Sequence, residues 1–264
     1  MSTSSGAEAP NRNWIALVLL GAAVGVASGL FGIGGGILIV PALVYLLGWT
    51  QRLASGTSLL ALVAPAITGV IAYALAGDVN VLLAVILAVG SMIGAPIGTW
   101  LLAKLSKRVL QWSFIAFLVV VIVLMLVVVP NRDAAVHIDW VSGPLLGLVG
   151  VVAGVLSGLL GIGGGVIVVP ALVIGFGASD LVAKGTSLLM IFGTSISGTI
   201  SNLKRKNVDF PAAAIIGVAA AAASPLGAWI SQALDPFTAN LVFAAFLVFV
   251  IVRMAIDAWP RRKK

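Results

Sequence analysis

Apolar residues in this chain come in long runs rather than alternating with polar ones. Ten runs are legible: Trp14–Phe31, Ile33–Trp49, Leu53–Ala76, Val81–Ala103, Val109–Val129, Val141–Leu160, Ile162–Phe176, Leu181–Leu203, Phe210–Ala233 and Phe237–Ala258. A bilayer core about 30 Å thick takes a spanning helix of roughly 20 apolar residues. Lipid offers no partner to backbone polar groups, so only helices or closed barrels cross it. Without period-2 alternation, the runs predict helices. Two of them, Ile33–Trp49 and Ile162–Phe176, are short for a span, and only a glycine cluster separates each from its predecessor.

The pattern repeats. Shifted by 129 residues, Gly25–Gly48 matches Gly154–Gly177 at 16 of 24 positions without a gap. "GTSLL" at Gly56–Leu60 then meets "GTSLL" at Gly185–Leu189, Pro96 meets Pro225, and Trp100 meets Trp229. The chain therefore divides into a polar tail (1–13), a first membrane repeat (14–129), a polar linker (130–140), a second repeat (141–258) and a basic tail (259–264).

Charge sets the expected sidedness. Lys104, Lys107 and Arg108 form a basic loop in the first repeat, where the second has "ALDPF"; the second repeat has Lys204, Arg205 and Lys206, where the first has "LAGD". The basic loops have exchanged places, as inverted repeats require under the positive-inside rule. Five segments per repeat put both termini and all of the 15 Lys and Arg except Arg132 and Lys184 on one side, the cytoplasm. Counting each Gly-broken pair as one crossing gives eight segments and scatters the charge. The expectation is an all-α integral membrane protein of two inverted-topology repeats, about ten segments in total. The short pairs are either full crossings or re-entrant hairpins.

Composition agrees: 61% of the 264 residues are hydrophobic, 9% are charged, and mean hydropathy is +1.21. No soluble domain buries that much apolar surface. The net charge of +7 belongs to loops at a lipid surface and argues for no nucleic-acid partner.

The glycines carry the candidate chemistry. At "GIGGG" (Gly32–Gly36 and Gly161–Gly165) a helix stops inside the membrane, and the next begins with free N–H groups and the positive end of its dipole. Such a start can hold an anion without a charged side chain. Paired short, Gly-interrupted segments are the best sequence pointer to a transporter site; close helix packing is the competing reading of the same glycines. The candidate substrate-binding residues are Gly32, Gly34, Gly35, Gly36, Gly161, Gly163, Gly164 and Gly165, assisted by Ser28, Ser157, Thr57, Ser58, Thr186 and Ser187. Hydroxyls in helices commonly bond back to their own backbone, which is the bland reading of the serines and threonines. Pro41, Pro170, Pro96 and Pro225 read as helix kinks. Lys184, opposite Ser55 in the repeat, reads as a charge at a mouth or interface. The single histidine, His137, falls in the linker, so no Ser–His, paired-Asp or metal-ligand constellation points to an enzyme, a metal or a cofactor. "GIGGGI" lacks the βαβ context of a dinucleotide fingerprint.

On these residues, "GLFGIGGGILIVPAL" and "GLLGIGGGVIVVPAL", each followed by "GTSL", the chain resembles the TauE/SafE sulfite exporter family, also called the toluenesulfonate uptake permease family. The resemblance covers residues 14–258. It implies a multi-pass secondary transporter of the bacterial inner membrane for small sulfur-containing anions such as sulfite, sulfonates, sulfoacetate or thiosulfate, working by import or export. Alternating access between the repeats is the expected mechanism. Coupling is open between a proton, carried on a weak acid such as bisulfite, and potential-driven uniport. A channel-like anion pore and a non-transporting scaffold are the alternatives, and a homodimer is one assembly open to such a chain.

Overall fold

A computed structural model describes residues 13–127 and 142–258. The tail up to residue 12, the linker at 130–140 and the basic tail at 259–264 lie outside the described residues. Within them the chain is helical, without a strand: α1 Trp14–Phe31, α2 Gly36–Tyr45, α3 Gln51–Leu75, α4 Val81–Lys104, α5 Lys107–Val127, α6 Ser142–Leu160, α7 Gly165–Phe176, α8 Asp180–Lys204, α9 Phe210–Ala233 and α10 Pro236–Ala258. Each corresponds to one apolar run. The starts differ by a few residues because caps, not hydropathy, set them. Thr50, Asn80, Ser179 and Asp209 each accept the N–H three residues on, which satisfies one orphan donor of α3, α4, α8 and α9. α3 and α8 thereby begin at the polar residues Gln51 and Asp180, ahead of the apolar runs.

α1, α3, α4, α6, α8 and α9 are long and apolar enough to cross a membrane. α2, with 10 residues, spans only about 15 Å. The outer surface carries exposed Ile15, Leu19, Ile71, Val89, Ile93, Val218 and Phe249, a surface that only lipid solvates favourably. Trp14, Trp100 and Trp112, all half exposed, lie toward one end of the bundle and Trp229 toward the other, as interfacial anchors do.

Packing follows the repeat, but crosses it. α1 lies on α9, and α6 lies on α4. Glycine makes both contacts close: a methyl at Gly25 would sit 2.2 Å from the Ala220 oxygen, and one at Gly94 2.2 Å from the Val151 oxygen. The successive contacts Gly21–Ile216, Gly25–Ala220 and Gly29–Ser224 ascend together, so α1 and α9 run parallel; Gly90–Gly147, Gly94–Val151 and Gly98–Val155 make α4 and α6 parallel. α3 runs with α9, through Gly56–Asn207, Gly217–Ala61 and Ser224–Pro65. α3 and α8 touch in the opposite sense, Gly69 against Leu188 and Gly198 against Leu59. The start of α3, the end of α4 and the end of α8 share one end of the bundle. There Arg52 donates to the carbonyls of Leu102 and Ala103, and a methyl at Gly56 would meet Asn207. Exposed Arg52, Lys104, Lys204, Arg205 and Lys206 make this the basic end.

Candidate functional site

α1 ends at Gly32, which is left-handed at φ 68° and donates its N–H to the Ser28 carbonyl at 2.9 Å. Gly34 and Gly35 follow at φ 78° and 76°, and α2 starts at Gly36 with no side chain capping it. The second repeat copies this: Gly161, Gly163 and Gly164 stand at φ 75°, 85° and 87°, and α7 starts uncapped at Gly165. A side chain in that backbone region costs roughly 1–2 kcal/mol per residue, so six glycines are explained by conformation. Gly36 and Gly165 are explained by proximity. A methyl at Gly36 would lie 2.4 Å from the Gly161 oxygen, and one at Gly165 2.7 Å from the Gly32 oxygen. The two breaks therefore touch each other.

They meet at the centre of the bundle. Leu62, midway along α3, and Ile191, midway along α8, both pack against Gly34 and against Gly163. Two uncapped helix starts with their positive dipole ends thus flank a pair of aliphatic side chains.

The "GTS" motifs divide their labour. Ser58 donates its hydroxyl to the Gly161 carbonyl at 2.7 Å, and Ser187 donates to the Gly32 carbonyl at 2.9 Å, so each repeat's serine ties the other repeat's break. Thr57 and Thr186 do something else. They accept the backbone N–H of Asp209 and Asn80, both at 3.0 Å, and so hold the N-cap residues of α9 and α4. Gly56 and Gly185 let the loops before those caps pass, a methyl there falling 2.0 Å and 2.2 Å from the oxygens of Asn207 and Asp78. Ser28 and Ser157 are fully buried, and their hydroxyls have no hydrogen-bond partner among the described residues. They lie one turn beyond Val24 and Ala153, the residues of α1 and α6 that meet Gly35 and Gly164, and so share that face. The structure brings the glycines, Ser28, Ser157, Ser58 and Ser187 to the breaks, and it places Thr57 and Thr186 at the loops.

One break is charged at its edge. The Lys184 stem lies against Gly32, and its ammonium donates to Asp180 Oδ2 and to Ser231 Oγ, both at 3.0 Å. Both partners of the ion pair are buried. Tyr73 closes the same region by donating to the Gly29 carbonyl at 2.7 Å. At the other break the positions of Asp180, Lys184 and Ser231 hold Gln51, Ser55 and Leu102. Sequence reasoning had passed over Asp180, Leu62 and Ile191. The i, i+4 spacing to Lys184 signalled the first. The other two follow the "GTS" serines by four residues in both repeats.

The comparisons with known proteins agree in kind. A family model described as sulfite exporter TauE/SafE matches residues 2–125 and 146–264. The chain is 27% identical over 261 residues to "Probable membrane transporter protein YunE" of Bacillus subtilis (strain 168), covering 90% of this chain and 96% of that one. It is 30% identical over 247 residues to a "Probable membrane transporter protein" of Xylella fastidiosa (strain 9a5c), covering 90% and 94%. It is 27% identical over 253 residues to "Probable membrane transporter protein MJ0441" of Methanocaldococcus jannaschii, covering 88% and 91%. No solved structure matches.

Proposed function

The chain belongs to the TauE/SafE sulfite exporter family, a family of multi-pass membrane transporters, and from that premise we propose that it carries a small sulfur oxyanion across the bacterial inner membrane by alternating access. The observation that carries the proposal is the meeting of the two glycine breaks at mid-bundle, each followed by an uncapped helix start. Free N–H groups and aligned dipoles there favour an anion. In a low-dielectric interior they act far more strongly than in water. A neutral site also releases its ligand more readily than a buried cation would.

The halves read as inverted repeats of five segments. The opposed run of α3 and α8, which occupy equivalent places in the repeat, supports this, as does the parallel run of α1 with α9 and of α4 with α6. The basic end then faces the cytoplasm, with both termini. Ser58 and Ser187 couple the breaks across the repeats, so displacing one repeat against the other loads both breaks together. Leu62 and Ile191 fill the centre between them and would move aside for the anion. The proton remains one candidate for coupling, carried by the substrate as a weak acid.

The test is ligand stabilisation of purified protein beside flux in proteoliposomes. Sulfite, thiosulfate, sulfoacetate, taurine, sulfate and chloride are compared on the wild type, Gly34→Ala and Gly163→Ala. These two substitutions meet side-chain atoms of Ile191 and Leu62 rather than backbone, but at φ 78° and 85° each also carries the roughly 1–2 kcal/mol cost of a left-handed alanine, so the folding of each variant is measured beside its binding. A true substrate at 100 times its Kd adds about 2.7 kcal/mol, and the glycine variants reduce that shift. Saturable flux accelerated by substrate on the far side marks a carrier. Flux without either property marks a pore, and no ligand effect with intact folding returns the glycines to packing.

A further inference from the structure

α8 carries two stripes of polar residues with opposite fates. Thr194, Ser197 and Ser201 face α4 and are all engaged: Thr194 with the Met190 carbonyl and Ser91, Ser197 with the Met92 carbonyl, Ser201 with Thr99. Ser195, Thr199 and Asn202 are spaced i, i+4, i+7 and form a second stripe. It continues the face of Ile191, the residue lodged between the breaks, toward the start of α3, where Asn202 adjoins Gly56. Ser195 and Asn202 are fully buried and Thr199 is 5% exposed, yet Ser195 Oγ, Thr199 Oγ1 and Asn202 Oδ1 have no hydrogen-bond partner among the described residues.

An unpaired buried polar atom costs about 1–3 kcal/mol, so three in one line call for an explanation. Two more point to the same end of the molecule: Gln51 Nε2 at the start of α3, and Ser157 Oγ in the last turn before Gly161. The fold does not require the stripe, because the equivalent face of α3 carries Ala66, Val70 and Tyr73, and the Tyr73 hydroxyl is paired with the Gly29 carbonyl. Helix back-bonding satisfies only the Asn202 amide, which donates to the Gly198 carbonyl at 3.0 Å, and leaves the three oxygens unpaired among the described residues. Thr194, one residue away, bonds to its own i−4 carbonyl, whereas Ser195 and Thr199 do not.

We propose that Ser195, Thr199 and Asn202, with Gln51 and Ser157, form the polar wall of the half-path between the glycine breaks and the basic end of the bundle, taken by a small hydrated oxyanion. The Ser and Thr hydroxyls and the Gln51 amide turn donors to the anion, and the Asn202 carbonyl accepts from its hydration water. The opposite half-path keeps one counterpart, the Ser28 hydroxyl, unpartnered among the described residues, but is otherwise chemically different, closed by the Lys184–Asp180 pair and Tyr73. This inference rests on the transport reading, but its test is separable from it.

The chain has no cysteine, so Ser195→Cys, Thr199→Cys and Asn202→Cys each install a sole thiol, with Ala66→Cys and Val70→Cys as matched controls. Right-side-out and inside-out membrane vesicles are treated with a membrane-impermeant methanethiosulfonate bearing a sulfonate, and sulfite flux is followed in parallel. The expected result is modification of the three α8 thiols from the basic end at least tenfold faster than from the other end, slowed by sulfoacetate, which unlike sulfite does not itself consume the thiosulfonate, with the α3 controls unreactive from the basic end. Unreactive α8 thiols, or controls that react as fast from the basic end, would overturn the polar wall. If flux persists alongside such a result, the transport reading survives without it. If sided labelling appears without flux of any tested anion, the wall stands and the transport reading falls.

Discussion

Lys184 and Asp180 are the residues whose chemistry costs most to keep. Taking two charges out of water carries a penalty of several kcal/mol per ion, and both are buried where the first repeat manages with Ser55 and Gln51. The geometry is good, with an i, i+4 pair at 3.0 Å and Ser231 taking a second proton of the ammonium. Removing one partner strands the other. Asp180→Gln alone should therefore destabilise the protein by about 3–5 kcal/mol, read as unfolding in detergent. Adding Lys184→Ser gives the second repeat the residues of the first and should recover most of that loss. If the single variant is as stable as the double, water reaches the pair and the burial argument fails. At the same scale, the separate fates of Thr57 and Ser58 show why residue type alone did not assign roles. Neighbours on a helix point about 100° apart, so one reaches a loop while the other reaches the opposite break. The motif announced that the residues matter, and only tertiary contact says to what.

Between helices, glycine sets the approach distance and so the strength of packing that dispersion can supply. α6 makes this testable within a single turn. A methyl at Gly150 would lie 2.4 Å from the Leu87 oxygen, whereas one at Gly147 meets open space. Gly150→Ala should cost about 1–3 kcal/mol or more through overpacking. Gly147→Ala should be neutral or stabilising by up to about 1 kcal/mol, from helix propensity. Equal effects would mean that α4 and α6 are not in close contact. The helices themselves were legible in the sequence, because run length and hydropathy answer to the bilayer and act locally. The breaks were legible because positive φ leaves so distinct a residue signature. The exchange of α1 and α6 between repeats was not. The small-residue stripes that mediate it predict close packing without naming the partner. Leu62 and Ile191 were marked only by position, four residues after the "GTS" serines in both repeats; as two aliphatics among dozens, their residue type said nothing of sitting between the breaks.

For the whole molecule, the charge map and the helix directions are independent lines that meet. Positive-inside counting used only where Lys and Arg fall in the chain. The contacts of Arg52 with the end of α4 and of Gly56 with Asn207 use only packing. Both put the loops at 105–106 and 205–207 at one end. Reporter fusions after residues 106 and 207 should therefore report the cytoplasm, and fusions after residues 78 and 235 the opposite face. Had each broken pair made a single crossing, the two basic loops would report opposite sides and the α3–α8 pair could not run as it does. The arrangement also has a functional corollary. On the proposed inverted-repeat reading, equivalent segments facing opposite ways would make the two half-paths structurally interchangeable, so any preference for import or export would come from residues that break the repeat. Among the residues that differ between the repeats, the proposal singles out the Lys184–Asp180 pair and Tyr73 toward one end and the Ser195–Thr199–Asn202 stripe toward the other. Direction of transport should respond to exchanges at these positions and not to paired changes made alike in both glycine breaks, which alter both half-paths together.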